Sequence, residues 1–126
     1  MPLLSQYSKK RFIPVIPNSA YGPNDNFHLE NSHVVPALIR KFDDAKTTGN
    51  SEVTLWGTGS PFREFIHSND LASAVVFCLE NYDSNEHLNI GTGSEISISK
   101  LANLISRIVG FDGKTTILRT IFDVEF

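Results

Sequence analysis

Four histidines, one cysteine and a few cationic and aromatic side chains are the groups in this sequence best suited to move protons, bind metals or hold anions. His28, His33, His67 and His87 match no zinc-ligand spacing, and one cysteine supplies no second soft ligand, so no metal site is expected. Read alone, His33 is a helix-start residue that bonds nearby backbone, although its side chain is of the type that exchanges protons near neutral pH. Arg63 stands beside Glu64. The pair reads either as a solvated ion pair of small worth or as an arginine whose planar fork can take phosphate oxygens two at a time. Trp56 fits ordinary core as well as a stacking surface. Cys78 falls on the apolar stripe of a helix and reads as a small buried hydrophobe. Gly91-Thr92-Gly93 lacks the third glycine of a dinucleotide fingerprint, so it reads as a turn into the next helix.

The elements that must hold these groups have to come from one modest core, since 126 residues leave room for one domain over residues 1–126. Hydrophobic residues make up 40% and charged residues 20%, an ordinary globular balance. A net charge of −3 gives no reason to expect nucleic acid or an anionic membrane as partner. No apolar run approaches the roughly 18 residues of a membrane span. With a single cysteine and no signal-peptide pattern, a reducing cytoplasm is the expected compartment.

Phe12-Ile13-Pro14-Val15-Ile16 reads as a strand buried on both faces and ending at the turn Pro17-Asn18-Ser19. Tyr21 to Asn31 is rich in breakers and reads as an ordered loop. A helix follows, capped by Asn31 or Ser32, with Pro36 in its first turn and Val34, Val35, Leu38, Ile39 and Phe42 as its stripe. Val53–Trp56 and Arg63–His67 read as strands joined by the turn-rich Gly57–Pro61. Asp70 is the expected cap of a second helix, with Leu71, Val75, Cys78, Leu79 and Tyr82 on one face. Leu88-Asn89-Ile90 is a short strand. Ser97 or Ser99 caps a last helix bearing Leu101, Leu104, Ile105 and Ile108, and Gly110 stops it. This order of elements suggests the tail of an α/β protein in which two strands, near Phe12 and Leu88, belong to a doubly wound sheet.

Several of these segments together resemble the extended short-chain dehydrogenase/reductase family: Tyr21-Gly22-Pro23, Trp56-Gly57-Thr58-Gly59, Arg63-Glu64-Phe65-Ile66-His67 with Asp70-Leu71-Ala72, and Asn89-Ile90-Gly91-Thr92-Gly93. Asn24-Asp25-Asn26-Phe27, followed by Asn31-Ser32-His33-Val34-Val35-Pro36-Ala37-Leu38, resembles the GDP-L-fucose synthases within that family. The likeness runs from about Phe12 to about Gly113. It implies the C-terminal portion of an NAD(P)-binding Rossmann-type α/β fold, mainly the substrate-binding subdomain with one or two sheet strands.

The resemblance also implies a chemistry: epimerisation at carbons 3 and 5 of GDP-4-keto-6-deoxy-mannose, then reduction of its C4 ketone by NADPH to GDP-L-fucose. His33 aligns with the family's catalytic acid and adjoins the cofactor. Arg63 aligns with a diphosphate anchor, Trp56 with a ring lying against guanine, and Lys41 with a cation that neutralises the nucleotide. Pro17-Asn18-Ser19-Ala20 occupies the stretch that touches the nicotinamide amide, where the family usually reads Pro-Thr-Asn-Leu. Full-length members are homodimers. The family's catalytic cysteine lies in the N-terminal half, so Cys78 is not a candidate for it.

Neither the glycine-rich cofactor loop nor the Tyr-x-x-x-Lys pair is in this sequence; Tyr7 has Arg11 at the fourth following position. Met1 is expected to fall just after that pair, and Thr115–Phe126 reads as a truncated or frame-shifted end. The isolated chain is expected to be inactive, and to be weakly stable or self-associating through apolar faces. Two rival readings start from the same residues. One is another extended-family sugar-nucleotide epimerase or dehydratase, against which the Asn24–Phe27 and Asn31–His33 stretches argue. The other is a non-catalytic module that binds a nucleotide sugar, which the missing Tyr and Lys favour for the chain alone.

Overall fold

The computed structural model describes residues 12–84 and 86–118; Tyr7, Arg11 and the end of the tail lie outside them. In chain order the elements are β1 (Val15–Pro17), β2 (Ser19–Tyr21), α1 (Val34–Thr48), β3 (Glu52–Trp56), β4 (Phe62–His67), α2 (Ser68–Asn81), β5 (Leu88–Ile90), β6 (Glu95–Ser97), α3 (Ile98–Val109) and β7 (Lys114–Leu118). They group into two compact units. The first comprises the chain up to Pro23 with Glu64–Ser94, and the second comprises Asn24–Arg63 with the chain from Glu95 onward.

In the first unit β1 pairs in parallel with β5, Val15 opposite Leu88 and Pro17 opposite Ile90, so the two expected sheet strands do pair. However, β1 is Val15–Pro17 rather than Phe12–Ile16 and is not buried on both faces, since Phe12 and Ile16 are exposed. β2 pairs in parallel with β4, from Ser19 opposite Phe65 to Tyr21 opposite His67. The sequence reading put a turn and loop where β2 lies; three residues are too few for a pattern of alternation to register. The core is small: Ile66, Cys78 and Ile90 are buried, with Val15, Leu71, Ala74, Val75, Tyr82 and Leu88 against them. Leu79, expected on the same face of α2, is 63% exposed. It lies one residue, about 100° around the helix, from Cys78. Asp70 does not cap α2. The cap is His67, whose Nδ1 accepts from the Asn69 amide at 3.2 Å, while Asp70 sits in the first turn, where a carboxylate faces the positive helix end.

The second unit contains the larger core. β3 and β7 form a parallel pair from Glu52 opposite Lys114 to Trp56 opposite Leu118. The segment read as a stray tail therefore supplies a strand in Lys114–Leu118. Val53 and Leu55 point from β3 into the core, joined there by Val35, Leu38, Phe42 and Ala45 of α1 and by Leu101, Ala102 and Ile105 of α3. Phe42 is fully buried and tilts against Phe111, ring centroids 5.5 Å apart.

His33, not Asn31 or Ser32, is the N-cap of α1, and its side chain makes no capping bond. The third helical residue is Pro36, which has no N–H for a cap to satisfy. Ser97 caps α3 as expected, accepting from the Lys100 amide at 3.3 Å. Gly110 ends that helix in the left-handed conformation (φ 76°), and the Phe111 amide bonds the Ser106 carbonyl at 3.0 Å. Ile108, expected on the buried stripe, is 75% exposed. It lies about 90° from the centre of the face formed by Leu101, Ala102, Ile105 and Ser106.

Candidate functional site

The loop before α1 is ordered by its own polar side chains. Asn26 donates from Nδ2 to the Asn31 carbonyl at 3.1 Å, and its Oδ1 accepts from the His28 amide at 3.1 Å. His28 Nδ1 in turn accepts from the Glu30 amide at 3.2 Å. Asn24 adopts a positive φ of 64°, a conformation asparagine tolerates better than most side chains. An Asn-Asp-Asn run is therefore a set of local acceptors and donors that replaces regular structure. It delivers the chain to His33, which is exposed at the helix start with its imidazole unused in capping. Lys41 follows on α1, half-buried, about 12 Å further along the axis.

Trp56 and Arg63 bracket the connection between β3 and β4. Trp56 is 69% exposed, which removes the reading of it as core and leaves an indole face open to a planar ligand. Arg63 is also exposed, and its Nη1 donates to the Phe62 carbonyl at 2.8 Å. Glu64 is the next residue of the strand, where side chains alternate between faces, and its carboxylate bonds the Gly93 amide at 2.5 Å and Thr92 Oγ1 at 3.2 Å. The connection itself is pinned: the Ile98 amide bonds Pro61 O at 3.0 Å and the Ser99 amide bonds Gly59 O at 2.9 Å. His33, Lys41, Trp56 and Arg63 thus all belong to the second unit.

A cavity of about 380 Å³ lined by Phe27, His28, Leu29, Glu30 and Arg40 lies in the same unit, and none of the sequence-chosen residues lines it. Arg40 is held by Asp44 through two bonds of 2.8 and 2.7 Å, and that hydrogen bonding and charge raise its already high pKa.

Pro17, Asn18, Ser19 and Ala20 lie in the first unit, at the junction of β1 and β2, with Pro17, Ser19 and Ala20 exposed. Two tight approaches shape this region. A Cβ on Gly22 would fall 2.2 Å from Ser68 Oγ, so the glycine of Tyr21-Gly22-Pro23 lets the chain pass against the start of α2. Tyr21 and His67 meet edge to face, 5.4 Å between centroids. Among the described residues no three His, Cys, Asp or Glu side chains gather as a metal-binding group, and no helix is long and apolar enough to cross a membrane. Cys78 is buried in the apolar core as expected.

Glu64 is the functional candidate that sequence reasoning passed over. It was read as a partner for Arg63, and the signal that its bonds point elsewhere was its place on a strand beside a glycine-flanked turn some thirty residues away.

Comparison with known proteins agrees with this fold and these motifs. Residues 3–91 match the NAD dependent epimerase/dehydratase family. The chain is 59% identical over 102 residues, 81% of its length, to GDP-L-fucose synthase 1 of Arabidopsis thaliana. It is 40% identical over 129 aligned residues, 95% of its length, to GDP-L-fucose synthase of Escherichia coli. The crystal structure of a GDP-L-fucose synthetase from Naegleria fowleri bound to NADP superposes with a TM-score of 0.84 at 30% identity, over 94% of this chain and 37% of that one. The chain spans about a third of the length of the curated relatives it matches: 32% of the Arabidopsis protein and 38% of the Escherichia coli protein. It has the mixed α/β fold with parallel strand pairs found in the extended short-chain dehydrogenase/reductases, and it belongs to the NAD-dependent epimerase/dehydratase family.

Proposed function

We propose that this chain is the substrate-holding portion of a GDP-L-fucose synthase, an NADP-dependent enzyme that epimerises and reduces GDP-4-keto-6-deoxy-mannose. The observation that carries the reading is 59% identity to a GDP-L-fucose synthase over 102 of the 126 residues, a stretch long enough that it takes in His33, Trp56 and Arg63 wherever it begins. In this reading the complete enzyme contains the cofactor-binding remainder, acts as a homodimer, and works in a reducing compartment such as the cytoplasm, where the free Cys78 stays a thiol.

Arg63 anchors the diphosphate with its exposed guanidinium, Trp56 offers its open ring to the guanine, and Lys41 offsets the nucleotide's charge. Epimerisation removes a proton from a carbon beside the ketone, leaves the electron pair in an enolate, and returns a proton to the opposite face. His33 gives that returning proton. Its exposure and its freedom from capping leave the imidazole available for this transfer. Pro17, Asn18, Ser19, Ala20 and His33 each align with a cofactor-facing position of the family. The Ser19 hydroxyl and the exposed backbone of Ser19 and Ala20 suit a carboxamide ligand. The bound NADPH supplies the hydride that reduces C4.

The test joins this chain to the remaining two thirds of the Arabidopsis thaliana relative and follows GDP-sugar products with NADPH present. H33Q is expected to lower kcat about a hundredfold, the usual worth of a positioned acid. Unchanged turnover by H33Q would remove His33 from the mechanism, and a wild-type chimera that folds and binds NADPH without making GDP-L-fucose would remove the whole reading.

A further inference from the structure

Three segments of the first unit meet at one carboxylate. Glu64 on β4 accepts from the Gly93 amide at 2.5 Å and from Thr92 Oγ1 at 3.2 Å. At the β1–β2 junction the Asn18 side-chain amide lies beside the same carboxylate, over Gly91, and helps hold it ionised. The Asn18 amide separately bonds the Ile90 carbonyl at 2.9 Å. The two side chains close over Gly91: a Cβ there would fall 2.2 Å from Asn18 Nδ2 and 2.5 Å from Glu64 Oε1 and would push both ends aside. The bonds from Gly93 and Thr92 both end on Oε1; an ionised carboxylate donates nothing and strengthens them with its charge, whereas a glutamine keeps an acceptor and loses the charge.

We propose that Glu64 is a positioning residue for the cofactor: by tying Asn18 to the Gly91–Gly93 turn it fixes the Pro17–Ala20 segment that faces the nicotinamide amide. The inference rests on the proposed reading of Pro17–Ala20 as cofactor-facing. Asn18 would otherwise carry a flexible amide on a three-residue strand's end, and rotation there would move the neighbouring Ser19 and Ala20. With both its backbone and its side chain engaged, the segment is set before the ligand arrives, which is how a supporting residue raises affinity without touching the ligand. The direction of the Glu64 pKa agrees: bonds from Gly93 first, then Asn18 and Thr92, hold it below the ordinary carboxylate value.

The experiment uses the chimera with the Arabidopsis thaliana remainder and measures KM for NADPH and for the GDP-sugar separately, in E64Q, N18A and the double variant. E64Q is expected to raise KM for NADPH about tenfold while the GDP-sugar KM stays within about twofold. The double variant should be no worse than N18A alone, since both substitutions break one linkage. If N18A raises the NADPH KM and E64Q does not, the cofactor reading of Pro17–Ala20 stands and the role given to Glu64 is overturned. If neither N18A nor S19A changes it, the reading of that segment falls, and the inference falls with it. An equal rise in both KM values with E64Q marks a general structural role and also overturns the proposal. Should E64Q not fold, T92V removes one donor and leaves the carboxylate; an NADPH-specific rise of about twofold is then expected, and no change overturns the proposal.

Discussion

The two units hold themselves together by different means. The second unit relies on burial: Phe42, Leu38, Val53, Leu55, Leu101 and Ile105 make a core shared by two helices and a five-residue strand pair. Among the described residues the first relies on a small buried core of Ile66, Cys78 and Ile90 and on polar ties, of which the Glu64 carboxylate makes several. Its helix α2, among the described residues, turns Val76, Phe77 and Leu79 to the exterior, each more than half exposed. Apolar burial is worth about 25 cal/mol per Å² and is indifferent to pH, whereas a carboxylate tie depends on ionisation. The difference separates what persists under stress from what can be tuned.

The largest effect should come from Phe42. Phe42→Ala empties a fully buried site and is expected to cost about 3–5 kcal/mol, read as loss of amide protection through α1 and α3 in hydrogen exchange. Ile66→Ala in the smaller core should cost about 2–3 kcal/mol, because a half-exposed surround can relax into the space. Should Ile66→Ala prove the costlier of the two in chemical denaturation, the contrast between the units would be wrong. Gly110→Ala, which forces a side chain into the left-handed region at the end of α3, should cost about 1 kcal/mol.

The smallest effect is electrostatic. The folded-state pKa of Glu64 lies below its ordinary value of 4.5, so the unfolded chain binds the proton more readily. Its contribution is complete above that ordinary value and is lost as the pH falls through the depressed one. The Gly93 amide proton resonance should therefore move only in the acid range below that ordinary value, and E64Q should abolish the movement. A Gly93 resonance that titrates near neutral pH, or one unaffected by E64Q, would show that another group makes the tie.

Much of this arrangement was legible in the sequence where the signal was long. The stripe of α1, Leu101 and Ile105 of the α3 stripe, the αL stop at Gly110 and the Ser97 cap follow from 3.6-residue spacing and local bonding, while Leu104 and Ile108, expected on the same stripe, are exposed. Three-residue strands such as β2 and β6 carry too little pattern to read, and β7 is revealed only by its partner β3. The caps of α1 and α2 were misassigned for one reason: asparagine, serine and aspartate are the usual choices, and histidine fills both positions here. Within the site, Trp56 was ambiguous because an indole suits core and surface alike, and its exposure resolves it. The role of Glu64 is hidden in the sequence by the adjacent Arg63, because its own neighbours lie some thirty residues on and forty-six residues back.

The most direct test of the central claim, that the second unit offers a nucleotide-diphosphate site, is calorimetry of this chain with GDP. The account predicts saturable binding at one site, weakened about tenfold or more by Arg63→Ala and by Trp56→Ala, with NADPH absent. Binding that ignores both substitutions, or no binding by a folded chain, would contradict it.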